Sequence, residues 1–190
     1  MNGLSPAVDL TFKLSSRIFD LKSIVNQFEL EPGMRVADLG SGSGFFTVEM
    51  AKVLGEGGRV AAVDILDTAL EVVKSRAAES GIRNVELVRA DIEVSGGTFL
   101  ADDSEDFVLL ANVLFQNDQK TEILNEAARI LRPAGRLAII DWEKSSGGLG
   151  PPDEYRTPRE SILALASGES LIYEKDLIVD AYHFGMVFRK

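Results

Sequence analysis

The 190-residue chain contains no cysteine. Disulfides, thiolate metal sites and thiol nucleophiles are therefore excluded. A single histidine, His183, rules out a multi-histidine metal centre, and no metal is expected. Basic residues are scarce beside acidic ones: 20 Lys and Arg stand against 30 Asp and Glu, for a net charge of −10. No basic run exceeds two residues. Nucleic-acid backbones are held by clustered cations, so nucleic acid is not an expected partner. No apolar stretch approaches the ~20 residues that cross a bilayer. The N terminus has no basic segment followed by an apolar one, so no leader is expected and a cytoplasmic location is. What remains is ordinary for a globular chain, at 45% hydrophobic and 26% charged. One α/β domain over residues 1–190, with a substantial core, is expected.

The most informative stretch runs from Val36 to Thr47, Val-Ala-Asp-Leu-Gly-Ser-Gly-Ser-Gly-Phe-Phe-Thr. An apolar run carries one acid, Asp38, and then Gly40, Gly42 and Gly44 at alternate positions, before a helical pattern begins at once. Strand, bare turn and helix start form the nucleotide-type turn of a doubly wound sheet, where free N–H groups face the ligand. The same glycines also suit an αβ turn that binds nothing. The dinucleotide fingerprint places its third glycine five residues after the first. That position is Phe45. The early third glycine and the preceding carboxylate disfavour a pyrophosphate and favour a ligand with a cationic group.

Strands and helices then alternate. Apolar runs predict strands at 34–39, 59–65, 85–89, 106–111 and 136–142, and near-continuous apolar runs suit parallel strands buried on both faces. Apolar spacing predicts helices over 16–28, 45–54, 68–80 and 118–131. Thr68-x-x-Glu71 reads as a capping box, and Thr157-Pro158-Arg159-Glu160 as another helix start with threonine as the cap. Residues 132–135 read as a turn and 93–104 are poorly patterned. After a loop over 143–156 and a short helix to about 166, two strands at 170–175 and 182–188 are too close for a helical crossover and read as an antiparallel pair at one sheet edge. The expected fold is a Rossmann-like, doubly wound, mostly parallel seven-stranded sheet, with helices on both faces and an antiparallel C-terminal strand.

Two further acids fall at strand ends. Asp64 ends the second strand, where doubly wound folds hold ribose hydroxyls, and Asp91 ends the third, where a carboxylate can accept from an adenine amine. Ile65 and Ile92 stand beside them as apolar walls for a ring. Each acid alone is equally a residue that simply ends a strand. Asp38, Asp64 and Asp91 in succession, all at the carboxyl edge, are far more specific.

These motifs resemble those of the class I S-adenosylmethionine-dependent methyltransferases, in particular the ubiquinone/menaquinone-biosynthesis C-methyltransferase-like group. Asp38-x-Gly-x-Gly-x-Gly44 matches the first motif, Asp64 the second and Ala90-Asp91-Ile92 the third. Asp106-Phe-Val-Leu-Leu-Ala-Asn112 matches the fourth, and Leu131-Arg-Pro-Ala-Gly-Arg-Leu-Ala-Ile-Ile-Asp141 the fifth-strand motif. The match covers about 20–142. The resemblance implies S-adenosylmethionine as cofactor, S-adenosylhomocysteine as product and a small-molecule acceptor, with apolar and lipid-like molecules among the candidates. It implies that Gly40, Ser41, Gly42 and Gly44 line the methionine and ribose, and that Asp38 supports the loop or reaches the ammonium through water. It implies that Asp64 holds the ribose, Ile65 stacks on the adenine, Asp91 and Ile92 meet its edge and face, and Asn112 lies beside the methionine end. The chain departs from the family in three places: Ala134-Gly135 stands where Gly-Gly is usual; the Asn/Asp-Pro-Pro-Tyr/Phe of amide- and base-methylating enzymes is absent; and the three-cysteine set of arsenite methyltransferases cannot form.

Methyl transfer by in-line displacement needs alignment first, and a base only where the acceptor must lose a proton. His183 and Asp141 are the base candidates; a hydrogen-bonded strand histidine and a loop-anchoring acid are the plainer readings. Phe115, Trp142 and Tyr155 either wall a substrate pocket or pack the core, and residues 1–16 and 143–156 are candidate lids. A cofactor-binding partner subunit without transferase activity is the alternative function, and both a monomer and a homodimer fit the sequence. A nicotinamide-dependent dehydrogenase fits poorly, given Phe45 and Asp38.

Overall fold

The computed structural model describes residues 20–144 and 149–190. The candidate lid at 1–16, the start of the helix expected from residue 16 and the middle of the expected 143–156 loop lie outside those residues. Helix α1 is Leu21–Asn26, with the Asp20 carboxylate accepting from the Ser23 N–H at 3.1 Å as its N-cap.

Five parallel strands follow: β1 (Arg35–Leu39), β2 (Arg59–Asp64), β3 (Val85–Arg89), β4 (Glu105–Ala111) and β5 (Leu131–Trp142). Two more, β6 (Ile172–Leu177) and β7 (His183–Arg189), pair antiparallel, and β7 also runs antiparallel to β5. The sheet order is β3-β2-β1-β4-β5-β7-β6. The expected fold class holds. β1 and β4 lie side by side although two strands separate them in sequence, and the sheet grows outward from that pair in both directions. That topological switch point is where open α/β sheets bind ligands, outside the carboxyl ends of the strands.

Four more helices are α2 (Phe45–Leu54), α3 (Asp67–Glu79), α4 (Lys120–Ile130) and α5 (Arg159–Gly168). Side chains alternate across a strand, so one run of apolar residues feeds two layers. Ala37, Leu39, Val63 and Val108 pack with α4 and α5. Val36, Val60, Phe107 and Leu109 pack with α1 and α2. The Phe28 and Phe107 rings meet with centroids 5.0 Å apart in this second layer.

Local chemistry differs from expectation at three points. The cap of helix α3 falls two residues early, at Leu66 rather than Thr68, with no side-chain cap bond; the Leu66 N–H is taken by the Asp64 carboxylate. Pro158, not Thr157, caps α5, also without a side-chain bond. The turn expected at 132–135 is a bulge inside β5, since Leu131 still pairs with Glu105 before Arg136 pairs with Phe107. Pairing can continue because Ala134 adopts φ 64 and donates to the Lys190 carbonyl at 3.0 Å. An L-residue in that conformation costs about 1–2 kcal/mol, and glycine gives back about 0.5–1 in chain entropy. Ala134→Gly should therefore raise the unfolding free energy by about 0.5–1 kcal/mol. This reads as a higher urea midpoint at constant m; a lower midpoint would mean that the bulge carries no strain.

The poorly patterned 93–104 stretch is ordered by a carboxylate from α4. Glu126, 1% exposed, accepts from the Gly96 N–H (2.8 Å), the Thr98 N–H (3.1 Å) and the Thr98 hydroxyl (2.5 Å). Arg129 donates to it from Nε at 2.8 Å and Nη2 at 2.7 Å, and also reaches Asp102. This network fixes the segment that leaves Asp91. At the far edge, β6 carries a bulge between Tyr173 and Lys175, and the charges of Glu174, Lys175 and Asp176, features that discourage pairing with another chain.

Candidate cofactor site

A cleft of 550 Å³ opens at the carboxyl edge, over the ends of β1, β2, β3 and β4. Its size is in the range of small-molecule sites, ~300–1,000 Å³. Gly40 and Gly42 form its floor. Both have positive φ, 73 and 51, and a Cβ at Gly40 would sit 2.7 Å from Val113 Cγ2. The Gly40 and Ser41 N–H groups both donate to the Val63 carbonyl, at 2.8 and 2.9 Å, which folds the turn against the end of β2.

Asp64 supports the same turn. One carboxylate oxygen accepts the Gly42 N–H and the other the Leu66 N–H, each at 2.9 Å. A carboxylate offers about four acceptor positions, so two stay available toward the cleft. Asp91 accepts the Glu93 N–H at 2.9 Å and lines the cleft together with Ile92. Ile65, Leu66 and Val72 form an apolar wall that is 43–55% exposed. These side chains stand open to the cleft instead of packing in the core. No lysine or arginine lines the cleft, while Asp64, Asp91 and Glu93 do. The charge suits a cationic ligand and opposes a pyrophosphate.

Asn112 closes the β4 side. It is 7% exposed and held at φ 58, a conformation uncommon outside glycine. Its N–H donates to the Ile140 carbonyl at 2.8 Å. Its side-chain oxygen, like the Ser41 hydroxyl, is buried and has no hydrogen-bond partner among the described residues. A buried acceptor without a partner costs about 1–3 kcal/mol. One at the mouth of a cleft marks a place for a ligand's donor.

Three residues expected at the cofactor do not line the cleft. Asp38 is 2% exposed and points into the α2 layer, where the Thr47 hydroxyl donates to it at 2.5 Å. Burial raises its pKa to about 7; the Asp64 charge adds to the rise and the Thr47 bond opposes it. Its carboxylate thus braces the strand end against the first turn of α2. The Ser41 hydroxyl is buried. Gly44 caps α2 at φ 74, and a Cβ there would sit 2.9 Å from Val73 Cγ2.

The base candidates are likewise withdrawn from the cleft. Asp141 is fully buried and accepts the Phe115 N–H at 3.0 Å and the Trp142 N–H at 2.7 Å; burial lifts its pKa to about 7. His183 has its Nδ1 3.0 Å from both Asp180 oxygens, and its ring lies 3.9 Å from the Trp142 ring, centroid to centroid. Burial lowers its pKa, against the pull of Asp180. Phe115, Trp142 and Tyr155 do not line this cleft either. Trp142 is 3% exposed beneath Arg156, whose guanidinium donates to the Pro151, Glu143 and Leu149 carbonyls. Tyr155 is 62% exposed, and Phe115 spends its N–H on Asp141. Sequence reasoning missed the α3 face that lines the cleft, Thr68, Ala69 and Val72. Its signal was present, as Val72 falls off the buried stripe of Leu70, Val73 and Ala77.

A methyltransferase-domain family model matches residues 30–161, well over half the chain. The chain belongs to that family. It is 33% identical over 118 residues to the ubiquinone/menaquinone biosynthesis C-methyltransferase UbiE of Azotobacter vinelandii, covering 62% of this chain and 46% of that one. It is 28% identical over 158 residues to the arsenite methyltransferase of Halobacterium salinarum, covering 83% and 39%. The chain thus spans less than half the length of these curated relatives. Among solved structures, a SAM dependent methyltransferase from Aquifex aeolicus superposes with a TM-score of 0.85 at 27% identity, covering 98% of this chain and 99% of that one. The methyltransferase family implies S-adenosylmethionine as cofactor, which fits the acid-lined cleft. Among the described residues, no helix is long and apolar enough to cross a membrane, and no cluster of His, Asp or Glu is placed to hold a metal.

Proposed function

We propose that the cleft binds S-adenosylmethionine and that the chain transfers its methyl group to a small-molecule acceptor by in-line displacement. The observation that carries this reading is the buried, unpartnered Asn112 side-chain oxygen beside an acid-lined, cation-free cleft at the switch point. Asn112 Oδ1 accepts from the ammonium, Asp64 from the ribose hydroxyls and Asp91 from the adenine amine. Ile65, Leu66 and Val72 cover one face of the ring and Ile92 the other. When bound, the cofactor supplies an electrophilic methyl on a sulfonium.

The chain's contribution is placement. Holding nucleophile, methyl and sulfur in line supplies about 7–11 kcal/mol of a barrier. Asp141 accepts two backbone N–H groups and His183 Nδ1 faces Asp180, and neither residue lines the cleft, so the reading assigns no proton transfer to them. The reading therefore favours an acceptor that attacks without help from either residue. The chain has no cysteine, so an arsenic acceptor would find no thiolates here.

Titration calorimetry with S-adenosylhomocysteine should give a low-micromolar or tighter Kd, and methyl-labelled S-adenosylmethionine should label an acceptor in a small-molecule extract. Heat without label would leave a cofactor-binding subunit, and no heat would overturn the reading.

A further inference from the structure

Four consecutive residues, from the glycine turn into the start of α2, are held from outside by the β2–α3 unit, each in a different way. Asp64 takes the Gly42 N–H. Arg76 Nε donates to the Ser43 carbonyl at 2.8 Å. Val73 leaves no room for a side chain at Gly44. The Arg76 guanidinium lies over the Phe45 ring, 3.7 Å from its centroid. Val73 and Arg76 share one face of α3 by their three-residue spacing. The same helix carries Thr68, Ala69 and Val72 on the cleft wall, and Ser43 also lines the cleft.

We propose that Arg76 is a positioning residue for the cofactor. It clamps the turn through Ser43 and Phe45 and so sets the distance between the glycine floor and the α3 wall. Phe45 occupies the place where a dinucleotide fingerprint has its third glycine. The residue that departs from that fingerprint is the one the clamp grips. Only arginine performs both tasks, because its planar group stacks on a ring while Nε donates sideways; a lysine ammonium is a point donor. The clamp rests on the cofactor reading above.

The test is calorimetry with S-adenosylhomocysteine on the full chain and four variants, with melting temperatures measured alongside. Arg76→Lys and Phe45→Leu should each weaken binding about 10-fold, while Phe45→Tyr, which keeps the ring face, stays within about two-fold. Arg76→Lys combined with Phe45→Leu should weaken binding no more than the stronger single change, since Arg76→Lys already removes the ring contact that Phe45→Leu breaks. In turnover, KM for S-adenosylmethionine should rise by the same factor with kcat nearly constant. Unchanged affinity in Arg76→Lys or Phe45→Leu, with only the melting temperature lowered, would overturn the clamp and leave ordinary helix packing. Phe45→Tyr binding as weakly as Phe45→Leu would overturn it too. If Arg76→Lys does not fold, the two Phe45 variants decide. Absence of binding by the unaltered chain is a separate outcome, and it removes the cofactor reading and the clamp together.

Discussion

Replacing Glu126 with alanine should lower the unfolding free energy by about 3–5 kcal/mol, the range for breaking a buried charge pair by removing one partner. The carboxylate is 1% exposed and accepts five hydrogen bonds, two from backbone, one from the Thr98 hydroxyl and two from Arg129. Its loss leaves Thr98 and the Gly96 N–H without their acceptor and frees the 93–104 segment from α4. The same carboxylate predicts acid sensitivity. Burial pushes its pKa up, but the bonds from Arg129, Thr98 and Gly96 more than offset this and bring it from 4.5 to about 2. A depressed folded pKa means that the stabilisation is complete above about pH 4.5 and is lost as pH falls from there toward 2. At ~1.4 kcal/mol for each pH unit, the amount at stake is about 3 kcal/mol. Urea unfolding at pH 7 and at pH 3 should show the gap between wild type and Glu126→Gln narrowing at low pH. A gap independent of pH would mean that the ionised form is not what the network stabilises.

Asp64→Ala should weaken S-adenosylhomocysteine binding by about 2–3 kcal/mol, or roughly 30- to 150-fold, on the proposed reading. The acid performs two tasks through one side chain. It offers charge-assisted acceptors to ribose hydroxyls, and it ties the Gly42 and Leu66 N–H groups together across the cleft floor. Water can reach those N–H groups once the carboxylate is gone, so stability should fall by no more than about 1 kcal/mol. The informative result is this split, with affinity lost and the melting curve nearly kept. Unchanged affinity would place the ribose elsewhere; a collapse of stability would make Asp64 a folding residue first.

How legible the site was depended on the range of the interaction. Asp64, Asp91 and the alternating glycines could be read because strand ends and turn glycines are local features, and each strand end of a parallel sheet emerges at the same edge. Asp38 was legible as a motif residue with two open roles, one of them support of the loop. Side chains alternate along β1, and that alternation turns Asp38 under α2 toward Thr47 rather than into the cleft. His183 suggested a base because it is the only histidine, and Trp142 suggested a pocket wall. They are 41 residues apart in sequence but are directly paired across β5 and β7, where they pack on each other and under Arg156. Nothing in local spacing announces that pairing. Thr68 and Thr157 resembled helix caps, yet the chain gave the first task to the Leu66 backbone and the second to Pro158. Backbone geometry at a helix start depends on how the preceding strand enters it.

The sequence by itself determined the alternation of buried strands and amphipathic helices, and hence a doubly wound sheet with its acids and glycine turn at one edge. Hydrophobic period and backbone-permissive residues act over a few positions, and those suffice for such features. Only the tertiary structure decided which of those acids faces the cleft, that β7 inserts between β5 and β6, that Glu126 holds the 93–104 segment and that Arg76 grips the turn. Each of these outcomes is a contact between residues far apart in the chain, and its energy exists only once the sheet has brought them together.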